Sequence, residues 1–245
     1  MSYIDRARMT EMDAQSFQSV QPFPWANVQG FLTADGFQRL ADSAPDVSLL
    51  TPEFRKARGH GQASHDRYAL QYRPALDAQI SPAWRAFIAE LHGPDYQSFL
   101  RRLHGMDPGQ RFTLTMHWHY APRGGSVSPH TDASRKIGSH IFYFNTPSDW
   151  DPAWGGQTLV LDDAGHFPAH SAPDFGDFRT VAASAILGNQ SFIFQRTPHS
   201  WHGVAPITAP EGKLRKVFIV VANRANLQVW WRRVRGKDAD GYALR

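Results

Sequence analysis

From Phe112 to Tyr120 every second residue is apolar. Phe112, Leu114, Met116, Trp118 and Tyr120 alternate with Thr113, Thr115, His117 and His119. That is the period of a strand with one apolar face, and it predicts a half-buried strand. Upstream, the period is helical. Ser81-Pro82 opens a helix, because serine can cap its first turn and proline fits its first position. Trp84, Phe87, Ile88 and Leu91 recur at helical spacing, and Gly93 marks the end. A second helix carries Tyr96, Phe99, Leu100 and Leu103 on one side and stops at Gly105. Thr33 is a candidate cap for an earlier helix with Phe37 and Leu40. Pro22-Phe23-Pro24-Trp25 reads as extended. Residues 1–21 are weakly patterned and read as a loose arm or short helix. Residues 49–74 read as loops with one strand near Tyr68–Tyr72, and they include a candidate substrate-facing loop.

Downstream of Tyr120 the pattern becomes short apolar runs separated by turn residues. Ile141–Phe144, Thr158–Leu161, Ala185–Leu187, Phe192–Phe194, His202–Pro206 and Leu214–Ala222 are the expected strands, with strand character continuing to about Trp231. Many short strands without helices between them indicate a sandwich or barrel. The fold expected is mainly β with supporting helices. We expect one domain over 1–245: a helical and loop support region at 1–105, a β core at 106–231 and a basic tail at 232–245.

Composition narrows the chemistry. The chain is 42% hydrophobic and 13% aromatic, enough for one large core. It has no cysteine, so disulfides and thiolate metal sites are excluded. Any metal must be held by His, Asp or Glu, and eighteen Asp against four Glu favour aspartate. No apolar run approaches the ~18 residues of a membrane span. The first residues lack the apolar stretch of a signal peptide, so the expectation is a cytoplasmic protein. The net charge is +4, with basic residues at Arg55-Lys56-Ala57-Arg58, Arg101-Arg102 and Arg232 to Lys237. This dispersed charge mildly favours an anionic substrate and carries no nucleic-acid motif.

Ser128-Pro129-His130-Thr131-Asp132 holds the candidate chemistry. His130 and Asp132 sit two apart, the spacing that shares one face of a strand. They form two legs of a metal site. A third leg is available about 72 residues later in Pro198-His199-Ser200-Trp201-His202. Two His and one carboxylate with open positions suit non-haem Fe(II). His117-Trp118-His119 offers a rival start to a cupin-type metal site. That site wants a nearby Glu, and Tyr120 to Gly124 supplies none.

The wider spacing makes a pattern. Tyr120 lies ten residues before His130, Tyr143 thirteen after it, and Arg215 thirteen after His202. With Gly155-Gly156 and His202-Gly203-Val204-Ala205-Pro206, the segment from about Phe112 to Asn223 resembles the core of the 2-oxoglutarate- and Fe(II)-dependent oxygenases, especially the prolyl-hydroxylase-like branch. The resemblance implies a double-stranded β-helix, a jelly-roll or cupin-like variant. It implies His130, Asp132 and His202 as the Fe(II) ligands and prefers His202 over His199. It implies Arg215 as partner of the distal carboxylate of 2-oxoglutarate, ahead of Lys213 and Lys216. It places the Tyr143 hydroxyl beside Arg215 and the Tyr120 hydroxyl near the metal-bound end of the cosubstrate.

The activity implied is hydroxylation of an unactivated C–H bond, with release of succinate and CO₂. The cofactors implied are Fe(II), 2-oxoglutarate and O₂, with ascorbate as an accessory reductant. Asp132 argues against halogenation, which needs that ligand position vacated. The substrate implied is an amino acid, a peptidyl residue or a small natural product. Nucleic-acid demethylation is disfavoured, because the arginine after Arg215 comes only at Arg224. The competing reading is a non-catalytic jelly-roll protein that binds a metal or small molecule.

Overall fold

A computed structural model describes residues 2–225 except 57, 58, 60, 61 and 64. The basic tail 232–245, the approach to Trp231, and Ala57, Arg58 and His60 lie outside the described residues.

Among the described residues, five α-helices lie before Phe112: α1 Arg6–Glu11, α2 Ala14–Ser19, α3 Ala34–Asp42, α4 Pro82–Leu91 and α5 Pro94–Leu103. The caps explain their starts. Thr33 Oγ1 accepts from Gly36 N, and Ser81 Oγ accepts from Trp84 N with Pro82 following. Gly93, expected only as a stop, also caps α5, while Gly105 ends it with φ +57°. Of the loose arm or short helix expected over 1–21, the helical alternative holds, as α1 and α2 capped by Asp5 and Asp13.

Among the described residues, eleven strands form two antiparallel sheets. They are β1 Trp25–Gln29, β2 Thr51–Glu53, β3 Arg67–Gln71, β4 Phe112–Ala121, β5 Val127–His130, β6 Lys136–Tyr143, β7 Leu159–Asp162, β8 Arg179–Ala183, β9 Gln190–Gln195, β10 His202–Val204 and β11 Arg215–Arg224. The major sheet runs β1-β9-β6-β11-β4-β3-β2, and the minor sheet runs β5-β10-β7-β8. This is the jelly-roll arrangement expected. One strand differs. Ala185–Leu187 contributes only an isolated bridge from Leu187 to Asn145, because Gly188 and Asn189 turn the chain at positive φ. β7 pairs with β8, whose Arg-Thr-Val-Ala-Ala carries no alternation to reveal it.

Strand parity divides the core. Met116, Trp118 and Tyr120 on β4, Phe142 on β6, and Phe218 and Val220 on β11 pack against α3, α4 and α5. The alternate positions, including Ile141, Tyr143 and Val217, face the space between the sheets. The polar face of β4 is therefore internal. His117 is buried and lines a cavity, as does His119. The half-buried strand of the sequence reading is covered on both faces.

Two histidines sit on the helix-facing side. His140 meets the Tyr96 hydroxyl at 3.0 Å, and His104 fits against Gly138, where a Cβ would come within 2.5 Å of its ring. Burial pushes the His104 pKa down to about 4 and holds His140 well below the usual range. The unfolded chain therefore binds these protons first, at an ordinary histidine pKa near ~6.5. Stability is full above that pH and falls as pH drops toward 4, by about 3 kcal/mol for His104. Denaturant melts from pH 7 to 4.5 check this. His104→Asn should show a shallower fall than the parent, and equal slopes would refute it.

Candidate metal and cosubstrate site

His130 ends β5 and His202 opens β10, and the two are direct cross-strand partners. Their ring centroids lie 4.3 Å apart. Asp132 follows two residues after His130, and its Oδ1 is 3.9 Å from His130 Nε2. One ligand atom from each of His130, Asp132 and His202 lies within 4.8 Å of the others. This is the one such group among the described residues. His199 is not in it: its Nδ1 contacts Asp163 Oδ2 at 3.2 Å, and its side chain is exposed.

The surroundings orient each donor. His130 Nδ1 contacts Ser128 O at 2.9 Å, and His202 Nδ1 contacts Ser200 O at 2.9 Å. A proton on each Nδ1 leaves both Nε2 atoms as lone-pair donors, the usual support of a metal-binding histidine. Burial, then the neighbouring His202, pushes the His130 pKa down to about 3, and burial lowers that of His202. Both rings are neutral near pH 7, as metal binding requires. Burial alone would raise the Asp132 pKa. Lys136, His202 and His130 outweigh it and hold the carboxyl well below the usual range. Lys136 Nζ donates to Asp132 Oδ1 at 2.7 Å, and Ser139 Oγ donates to Oδ2 at 3.1 Å. Two neutral imidazoles and one carboxylate fit a divalent first-row metal with positions open to other ligands.

The triad opens into a cavity of about 520 Å³ between the sheets. Arg215 lines the same cavity and is buried, and its pKa is lowered, mainly by burial. Its Nε donates to Gly156 O, and its guanidinium carbon lies 5.4 Å from the Tyr143 ring centroid. Gly156 has φ +91°, and a Cβ there would come within 3.0 Å of Arg215 Cδ, so this close approach needs glycine. No carboxylate pairs with Arg215 among the described residues. Lys216 points the other way and pairs with Asp149 at 3.1 Å. Lys213 sits in the preceding turn and does not line the cavity.

The two tyrosines part company. Tyr143 lies under Arg215, with its hydroxyl held by Thr158 Oγ1 at 2.7 Å and Ser184 Oγ at 2.9 Å. Tyr120 is not brought to the cavity. Its hydroxyl donates to Pro45 O at 3.0 Å inside the helix-facing core. The cosubstrate contact expected of Tyr120 does not fit this placement, because its strand parity is opposite to that of His119 and Ala121. Lys136, Ser139 and His65 escaped the sequence reading, while Gly156 enters it only as part of the pattern, without its contact to Arg215. His65 packs on His130 with centroids 5.0 Å apart, and its Nε2 contacts Ser128 Oγ at 3.2 Å. Lys136 alone had a signal in the chain, four residues after Asp132.

Comparison with known proteins supports the geometry. A family model described as the 2OG-Fe(II) oxygenase superfamily matches residues 103–232, just over half of the chain. No curated protein sequence matches. Among solved structures, a Pseudomonas putida prolyl-4-hydroxylase aligns with a TM-score of 0.59 at 18% identity, covering 88% of this chain and 100% of that one. A Trichoplax adhaerens prolyl hydroxylase, solved with a hypoxia inducible factor peptide fragment, aligns at 0.59 and 11% identity over 89% and 90% of the two chains. SnoK, an alpha-ketoglutarate-dependent carbocyclase from nogalamycin biosynthesis, aligns at 0.61 and 9% identity over 96% and 94%. At these identities the structures share the fold, while the sequence match covers the triad and Arg215 together. The chain belongs to the 2OG-Fe(II) oxygenase superfamily, whose members use Fe(II), 2-oxoglutarate and O₂.

Proposed function

We propose that His130, Asp132 and His202 hold Fe(II), that Arg215 binds the distal carboxylate of 2-oxoglutarate, and that the enzyme hydroxylates an unactivated C–H bond of an amino acid, a peptidyl residue or a small natural product. The observation that carries this reading is the triad and a buried arginine, unpaired with any carboxylate among the described residues, set in one cavity between the sheets. Bound Fe(II) and 2-oxoglutarate supply the oxidising power, with O₂ consumed and succinate and CO₂ released. The chain does the positioning. Lys136 and Ser139 fix the Asp132 carboxylate, and the backbone carbonyls of Ser128 and Ser200 fix the two rings. Gly156 O and the Tyr143 ring aim the Arg215 fork, which matches a carboxylate bidentately. Ile141, Ile219 and Phe194 line the space around these groups and limit water there. In this reading residues 106–231 are the catalytic core and 1–105 its support within one domain.

Succinate formation from 2-oxoglutarate, with and without added Fe(II), tests the proposal. Absence of any turnover, coupled or uncoupled, together with absence of Fe(II) affinity would overturn it. Arg215→Ala should raise the 2-oxoglutarate requirement by roughly ten- to a hundredfold, the loss expected for a charge-assisted pair. Metal affinity should stay unchanged in that variant. An unaltered 2-oxoglutarate requirement would take the role from Arg215.

A further inference from the structure

The triad and Arg215 account for one half of the cavity. Arg215 turns toward β6 and the entry to β7, where it meets Tyr143 and Gly156. The span from the triad to Arg215 therefore runs past Ile141, Ile219 and Thr158. The other half is walled by β3 and β4. The register pairs Ala69 with His119 and Gln71 with His117. Arg67, two residues before Ala69, shares that inward face and also lines the cavity. Glu53, outside the lining, holds the Arg67 guanidinium at 3.0 Å and is shared with Lys56 at 2.8 Å.

Two observations make this wall a site. His119 Nε2 is buried and has no hydrogen-bond partner among the described residues, although its ring lines the cavity. A buried polar atom left so is costly, and a ligand atom in the cavity would satisfy it. The second observation is charge. After burial, the neighbours that most lower the His119 pKa are Arg67, His117, Arg215 and Lys136. Among the lining residues the carboxylates are Asp66 and Asp132, against Arg67, Arg135, Lys136 and Arg215. Glu53 partly offsets Arg67 from outside the lining, and a divalent metal and a doubly charged cosubstrate offset one another, so the cavity wall stays cationic overall.

We propose that Arg67, His117 and His119 form a second anion subsite that receives a carboxylate or phosphate group of the primary substrate. The proposal rests on the oxygenase reading and deepens it: the substrate is a small acid, or carries an acidic group, rather than a cationic or wholly apolar molecule. Arg67 contributes a guanidinium positioned by Glu53, His119 contributes its unpartnered Nε2, and His117 lies on the same inward face of β4. Held at this wall, the acidic group would anchor the substrate beside β4 while its reacting carbon extends toward the triad.

Calorimetry on the protein loaded with Mn(II) and the inert analogue N-oxalylglycine tests this, with inorganic phosphate and malonate as separate probes. At least one oxyanion should bind this loaded complex at a single site. Arg67→Gln and His119→Phe should each weaken it by about tenfold or more, with N-oxalylglycine affinity unchanged. The tighter probe identifies the acidic group. Absence of oxyanion binding to the loaded wild-type protein would overturn the proposal, as would binding that both variants leave unaltered. Loss of N-oxalylglycine affinity in His119→Phe would also overturn it, assigning that ring to the cosubstrate. Melting curves and Mn(II) titrations confirm that each variant folds, and His119→Gln replaces His119→Phe where it does not. Wild-type protein that bound neither Mn(II) nor N-oxalylglycine would sink the oxygenase reading itself, and the subsite with it.

Discussion

Asp132→Ala is expected to abolish turnover and to weaken Fe(II) or Mn(II) binding by at least ~100-fold, beyond the 10–100-fold typical of losing an outer partner. The carboxylate is the only anionic member of the triad and is drawn into its ionised form by Lys136. Removing it leaves two neutral imidazoles beside the Lys136 ammonium, whose side chain is 19% exposed. The site then repels a divalent cation. Asp132→Asn keeps the shape and loses the charge, so it should fall nearly as far. Metal titration by calorimetry, beside an assay of succinate release, checks both. Full metal binding in either variant would remove Asp132 from the ligand set.

Trp84→Ala is expected to cost about 3–5 kcal/mol of stability, the range for truncating a large buried aromatic. Trp84 is fully buried on α4 and packs against Trp118, Phe144 and Phe218, with ring centroids 5.1, 5.1 and 4.9 Å away. Its Nε1 donates to Leu40 O at 3.1 Å, so truncation also leaves that buried carbonyl without its partner. Against a typical total of 5–15 kcal/mol this is a large fraction. Urea unfolding should show a lower midpoint with an unchanged slope. Trp84→Phe should recover much of the loss. A drop below about 1 kcal/mol for Trp84→Ala would mean that the helical layer contributes little to the fold.

The two substitutions probe what the chain made legible and what it hid. Helices α4 and α5 were readable because their apolar spacing and the Ser81-Pro82 start are local signals. The triad was readable because β5 and β10 carry His130 and His202 inside short, recognisable turn contexts. The sidedness of β4 was not readable. Alternation reveals a period of two, but here both faces are covered, one by helices and one by the opposing sheet. Counting ten residues back from His130 reached Tyr120, whose side chain faces the helices, while His119 faces the cavity. A partner such as Ser139 is set by strand register across long stretches of chain, which no local pattern encodes.

The division of β4 into two faces has an evolutionary consequence. Neighbouring codons answer to different demands: those for Met116, Trp118 and Tyr120 to packing under the helices and, on the substrate subsite proposed above, those for His117, His119 and Ala121 to what the pocket accepts. A lineage can therefore drift from one substrate to another by changing every second residue of a single strand, while the interleaved positions keep the fold intact.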